Sequence, residues 1–174
     1  TPAAHVFGGF GAGEANLIAY NHGAGIVTFG TAYFDNRGNV IHHNRGVGRS
    51  NVDIAAVGPS ANDPDDADGG ANNGQNHPAL ISASQNGDQL TVTYRVDSTP
   101  ANSVYPLRID FYKNELGGSG MRIGQDTYAE AFAQAERTVV FTLPPDVTGI
   151  PFVALATDAN GYSSEFSAAF DVLF

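Results

Sequence analysis

Apolar and polar residues alternate cleanly along Gln89-Leu-Thr-Val-Thr-Tyr-Arg-Val96. On a strand this places Leu90, Val92, Tyr94 and Val96 on one face. Asn86-Gly87-Asp88, just before it, reads as a turn. Related patterns predict strands over 79–84, 105–112, 138–143, 151–157 and 165–173. Residues 128–136 carry helix-forming residues, but the strands around them favour a strand or loop there.

A different pattern fills residues 1–58. Asn16-Leu-Ile-Ala-Tyr-Asn-His-Gly-Ala-Gly25 aligns without gaps on Asn39-Val-Ile-His-His-Asn-Arg-Gly-Val-Gly48, an offset of 23. Asn16/Asn39, Ile18/Ile41, Asn21/Asn44, Gly23/Gly46 and Gly25/Gly48 are identical. The segments are too short and too rich in Gly and Asn for helices, and a period in the low twenties fits one coil of a solenoid. Each Ile is expected to stack on the Ile below, and Asn21 on Asn44 as a hydrogen-bonded ladder. The end near Val6 is expected to be an open sheet edge. Two readings of it stand: the tail of a longer solenoid, or a piece that stacks on another chain.

Between the two patterns lies Asn62-Asp-Pro-Asp-Asp-Ala-Asp-Gly-Gly-Ala-Asn-Asn-Gly-Gln-Asn-His-Pro78. It holds four carboxylates and no Lys or Arg. Calcium takes oxygen ligands from Asp, Asn and backbone carbonyls, and Asp63, Asp66, Asp68 and Asn72 are the candidate ligands. Pro64 stands where a helix-loop-helix calcium loop has its first Asp, so the segment is not that loop. The alternative is a solvated linker with local Asx-turns. The organisation read from the chain is therefore 1–60 solenoid coils, 61–78 acidic loop and 79–174 an immunoglobulin-like β-sandwich, an all-β protein.

Composition narrows the function. The net charge is −10, which opposes binding to nucleic acid or anionic membranes. There is no Cys, so disulfides and thiol chemistry are excluded. No apolar run reaches membrane-spanning length. The five His (His5, His22, His42, His43, His77) show no repeating ladder, and exposed positions on the coils are expected for them. Glu14 and Arg37 stand 23 apart, as a surface salt bridge between coils would. Tyr20, Tyr33, Tyr112 and Tyr162 are candidates for stacking on sugar rings. Phe29, Phe34, Phe111, Phe141, Phe152, Phe166 and Phe170 are read as core.

The segment from Val6-Phe-Gly-Gly-Phe to Gly25-Ile26 resembles repeats of bacterial right-handed parallel β-helix proteins, which are related in architecture to pectate lyases. Ala15 stands where those repeats usually have Gly. Asn51-Val-Asp-Ile54 resembles the close of their last coil. Asn62, Asp63, Pro64, Asp66, Ala67, Asp68, Asn72, Asn73, Gln75, Asn76 and Pro78 match their acidic stretch; Asp65 and His77 depart from it. Leu107-Arg-Ile-Asp-Phe-Tyr-Lys-Asn114 and Ala156-Thr-Asp-Ala-Asn-Gly-Tyr-Ser-Ser-Glu-Phe166 resemble their terminal module. The resemblance implies the last coils of a right-handed parallel β-helix joined to an immunoglobulin-like sandwich, stabilised by calcium and located outside the cell or on a bacterial cell surface. It implies a non-catalytic module for adhesion, carbohydrate binding or filament assembly, with a polysaccharide or another protein surface as partner. The alternative is the C-terminal part of a polysaccharide lyase or hydrolase whose groove lies on coils absent here. Asp35, Asp53, Arg45 and Arg49 also lie in the coils, but no lyase motif is present.

Overall fold

The computed structural model describes residues 3–44, 50–55, 58–145, 147 and 149–173, and they form an all-β protein. The N-terminal part is two turns of chain laid one on the other. The first coil carries β1 (His5–Gly8), β2 (Leu17–Ala19) and β3 (Ile26–Thr28). The second carries β4 (Phe34–Arg37), β5 (Val40–His42) and β6 (Val52–Ile54). Each strand pairs in parallel with its counterpart: His5 with Phe34, Ile18 with Ile41, and Ile26 with Val52. Short aliphatic runs make the strands, and Gly and Asn turn the corners between them.

The 23-residue offset holds at β2 and β5. It fails at β1 and β4, where His5 faces Phe34, because residues 9–16 make a longer turn than Gly38 and Asn39. The expected Glu14–Arg37 bridge is lost with it. Glu14 instead accepts from the Gly11 amide at 2.8 Å, and Arg37 pairs with Asp35 at 2.6 Å. The Gly46 and Gly48 positions of the repeat, with Arg45 and Arg49, lie outside the described residues.

The Asn ladder forms. The Asn21 amide and its Nδ2 donate to Asn44 Oδ1 at 3.2 and 2.8 Å. Asn44 passes the chain on to Asn51 Oδ1, and Asn51 Nδ2 donates to the Leu116 carbonyl at 3.1 Å. A second ladder runs from Asn16 to Asn39 Oδ1. Asn39 and Asn44 are both buried. These ladders pair the corner peptides with the buried side chains of Asn39 and Asn44.

The C-terminal part is antiparallel. β7 (Ala79–Asn86), β8 (Gln89–Arg95) and β11 (Arg137–Thr142) form a three-stranded sheet in the order β11-β8-β7. β9 (Leu107–Asn114), β10 (Ser119–Tyr128) and β12 (Phe152–Thr157) belong to a second sheet ordered β12-β9-β10-β5-β2. A core of Leu90, Val92, Tyr94, Val96, Leu107, Ile109, Phe111 and Phe152 lies between them. The predicted inward face of β8 is the buried one.

Two strand-level expectations change. β10 lies in a glycine-rich stretch where the sequence pattern predicts no strand. Gly124 is needed there, since a Cβ would collide with the Phe141 ring. Residues 165–173 are not a strand; they run beside β12 with isolated bridges such as Phe152–Phe170. Ser164 and Ser167 hydroxyls accept from the Ala156 and Ala154 amides at 3.0 and 2.9 Å, where a ladder would offer carbonyls. Residues 129–136 form a loop with a 3-10 turn, Glu130–Phe132, in keeping with the strand-or-loop reading of that stretch. Among the aromatic core positions, Phe29 is 59% exposed, on the first coil.

The two parts share a second core of Phe34, Ile41, Val52, Ile54, Tyr112, Val153, Leu155 and Phe166. Beside it, Asp35 on β4 pairs with Arg108 on β9 at 2.7 Å. The outer edge of the second coil is closed strand by strand. On β4, Phe34 donates to Asn72 Oδ1 at 2.7 Å and the Asn36 amide donates to Ser163 Oγ at 2.9 Å. On β5, Ile41 donates to Ser119 Oγ at 3.0 Å, and that hydroxyl donates to the Asn39 carbonyl at 2.8 Å. On β6, Ile54 donates to Glu165 Oε1 at 2.7 Å. Glu165 Oε2 accepts the Ser60 amide at 2.9 Å.

Glu165→Ala removes the acceptors of two backbone amides, one of them buried. The expected loss is about 2–4 kcal/mol in urea unfolding, with Glu165→Gln, which keeps one acceptor, in between. Equal stability of Glu165→Ala and the parent chain would contradict this.

Candidate functional site

The acidic stretch folds into a compact loop wedged between the two parts. It contains two 3-10 turns, Pro64–Asp66 and Ala71–Gly74. Asp65, Asp66, Asn72 and Asn73 all have φ between 49° and 65°. This left-handed region suits Asn and Asp better than other side chains with a Cβ. The composition of the segment is therefore partly a backbone requirement. Its ends are clipped by reciprocal side-chain bonds. Asn62 Nδ2 donates to the His77 carbonyl at 2.8 Å and His77 N–H donates back to Asn62 Oδ1 at 3.0 Å. Asp63 and Asn76 make the same exchange at 3.1 and 2.8 Å.

The four candidate ligands fall into two pairs. Asp66 and Asn72 are fully buried and act as hydrogen-bond hubs. Asp66 accepts from Gln75 Nε2 at 2.8 Å, from the Asn76 amide at 2.7 Å and from the Ser103 hydroxyl. Burial pushes its pKa up to about 6, against the lowering effect of those donors. Asn72 accepts from Phe34 and donates to the carbonyls of Phe34 and Ser163 at 2.9 and 2.5 Å. It thus fastens the loop to β4.

Asp63 and Asp68 are less committed. Asp63 Oδ2 accepts the Ala67 and Asp68 amides at 2.9 and 3.0 Å, while its buried Oδ1 meets no hydrogen-bond donor. Burial and the nearby Asp63 charge raise the Asp68 pKa. An unsatisfied carboxylate oxygen beside a second carboxylate fits a hard cation, so Asp63 and Asp68 are the residues that would hold calcium. Among the described residues, no group of three or more His, Asp or Glu side chains converges as a metal site.

Asp68 also lines a cavity of about 210 Å³, with Asn62, Gln75, His77, Ile54 and Glu165. Burial raises the Glu165 pKa and lowers that of His77. The polar side chains of this lining can hydrogen-bond a polyol, and the oxygens of Asp68, Glu165, Asn62 and Gln75 can ligate a cation.

The candidate sugar-stacking tyrosines do not converge. Tyr20 is 73% exposed at a corner of the first coil, with its ring 4.9 Å from that of His43. Tyr33 and Tyr162 stack on each other at 4.4 Å. Tyr112 is 1% exposed and packs the second core against Phe166, with no face free for a ligand. His42 and His43 touch through their Nδ1 atoms at 2.8 Å.

Ser119, Ser163 and Glu165 were not singled out from the sequence, although they close the coil. Glu165 opens the strand expected over 165–173, and the polar Ser163-Ser164 pair stands directly before it. Among the described residues, no helix is long and apolar enough to cross a membrane. No protein-family model matches the chain, and no curated protein matches it either.

Asp66→Ala leaves three donors unpaired and should cost about 2–4 kcal/mol in urea unfolding. The raised pKa of Asp66 also sets a pH trend. Between the unfolded value near 3.8 and the folded value near 6, the native state binds more protons than the unfolded state. Stability therefore falls as pH rises through that window. Glu165 and Asp158, also raised by burial, act in the same direction, while His77, lowered by burial, acts in the opposite direction below its ordinary value, so the Asp66→Ala comparison isolates the Asp66 share. In EDTA, the urea midpoint should be higher at pH 5 than at pH 7.5, and the difference should shrink in Asp66→Ala. A midpoint that rises with pH would contradict this assignment.

Proposed function

We propose that this chain is a non-catalytic end module of a right-handed parallel β-helix, closed by an immunoglobulin-like sandwich and serving adhesion or assembly outside a bacterial cell. The observation that carries this reading is the asymmetry of the two coils. The outer edges of β4, β5 and β6 are each met by a dedicated partner, Asn72 with Ser163, Ser119, and Glu165. The sandwich thereby supplies the end cap that a solenoid requires. Three parallel ladders, each in a separate sheet, support the helix part. Two facing antiparallel sheets around one core support the sandwich.

Calcium belongs to this reading. Bound by Asp63 and Asp68, it would neutralise the loop's charge and hold the joint. Carbohydrate is the favoured ligand class for the exposed polar surface, with Tyr20 the most exposed of the four rings.

The test has two parts. Incubation with uronic-acid and neutral polysaccharides should release neither unsaturated products nor new reducing ends; release of either would overturn the non-catalytic assignment. In thermal unfolding after EDTA, millimolar Ca²⁺ should raise the midpoint by several degrees. A ligand at 100 times its Kd stabilises the folded state by about 2.7 kcal/mol. The shift should vanish in Asp63→Asn with Asp68→Asn, and an unchanged midpoint in the parent chain would remove calcium from the account.

A further inference from the structure

We propose that His42 and His43, at the corner that follows β5, form an exposed chelating site for Cu²⁺. The site lies on the coils, apart from the carboxylates of the acidic loop, and it does not depend on the end-module reading.

Consecutive residues of a strand point to opposite faces, so a His-His pair is ordinarily split by the sheet. This pair is not. β5 ends at His42, and His43 has φ 54°, in the left-handed region that few residues with a Cβ adopt. The turn of the backbone brings both rings together. Their Nδ1 atoms stand 2.8 Å apart, with the ring centroids at 4.8 Å and the ring planes at 79°.

The pair is anchored on both sides. Ile41, directly before it, is fully buried, and its amide donates to Ser119 Oγ. Asn44, directly after it, is buried in the ladder and donates from Nδ2 to the Ile18 carbonyl. A site carried by backbone fixed in this way is held in register. Tyr20 completes the frame. It sits at the same corner of the first coil, 23 residues earlier, and also has a left-handed φ, 60°. Its ring lies 4.9 Å from that of His43 and meets His42 edge to face at 5.9 Å, so it packs against both imidazoles.

The nitrogen spacing selects the metal. Bonds from imidazole to a first-row metal are about 2.0–2.1 Å long, and two of them closing on nitrogens 2.8 Å apart enclose roughly 90°. That is the angle between neighbouring ligands in the tetragonal geometry of Cu²⁺. Tetrahedral Zn²⁺ would need the two nitrogens to part to about 3.3 Å. Cu²⁺ is also the divalent ion that such nitrogen ligands bind most tightly. The protons balance. Without metal, one ring carries its proton on Nδ1 to make the contact; with metal bonded to both Nδ1 atoms that proton sits on Nε2, and the pair stays neutral. Among the described residues no third His, Asp or Glu joins the pair, so water fills the other positions of the ion. The net charge of −10 favours the approach of a cation.

The test is a titration of the full chain with Cu²⁺ after EDTA treatment and removal of the chelator, followed by calorimetry and electron paramagnetic resonance. One ion per chain should bind in the micromolar range, with a tetragonal spectrum and nitrogen couplings from two imidazoles. Loss of a partner one shell out from a metal costs about 10–100-fold in affinity, so loss of either ring should weaken binding at least about tenfold. His42→Gln removes one ring, and His43→Asn removes the other with a residue that accepts the left-handed backbone. His5→Gln with His22→Gln should bind as the parent does. Millimolar Ca²⁺ should leave the copper in place, which separates this site from Asp63 and Asp68. The spectrum of the parent chain counts the imidazoles even if a variant fails to fold. Coupling to one imidazole or none, no binding at micromolar Cu²⁺, equal binding by folded His42→Gln or His43→Asn, or displacement by Ca²⁺ would overturn the proposal.

Discussion

Backbone amides and carbonyls along the outer edge of the second coil lie against a buried core, so they must find partners inside the protein. An unpaired buried peptide group costs on the order of 1–3 kcal/mol, and three short strands offer several. Closing this edge is the constraint that organises the chain. β5 is closed by Ser119 at the start of β10, which merges the coil into the larger sheet. β4 is closed from two sides, by Asn72 of the acidic loop and Ser163. β6 is closed by Glu165, eleven residues beyond Ala154 on a segment that follows β12. The stretch from Thr157 to Phe166 is accordingly not a strand that failed to form. Its hydroxyls and carboxylate are placed to substitute for a missing coil.

The acidic loop contributes to the same closure. Its left-handed Asp and Asn residues fold it tightly, and its reciprocal Asn62–His77 and Asp63–Asn76 clips keep the ends together. Asn72 then reaches into β4 while Asp66 gathers Gln75, Asn76 and Ser103. The carboxylate of Asp66 is buried at the centre of this network, and that burial raises its pKa. Asp63 and Asp68 lie at the rim of the same loop, where the Asp63 Oδ1 meets no hydrogen-bond donor.

Much of the architecture was legible in the sequence for physical reasons. Strict alternation in β8 leaves one choice of buried face. A repeated Asn at fixed spacing signals stacking, because a buried Asn is stable only when another polar group meets it. The failures are equally specific. The glycines of β10 look like a loop until Phe141 is seen to occupy the space beside Gly124. The serines after β12 look like strand residues until their hydroxyls are seen on the Ala154 and Ala156 amides. Phe29 looks like core, and its exposure follows from the open end of the coil. In the acidic loop, composition pointed to metal ligands; it could not separate Asp66 and Asn72, which hold the fold, from Asp63 and Asp68.

The central claim is that one coil is closed and the other open. Amide hydrogen exchange tests it most directly, because backbone groups at a free edge exchange without unfolding. The account predicts strong protection at Phe34, Asn36, Ile41 and Ile54, whose amides meet side-chain caps, and much weaker protection across β1, β2 and β3. Equal protection of the two coils, or faster exchange at Phe34 and Ile54 than in the first coil, would contradict it.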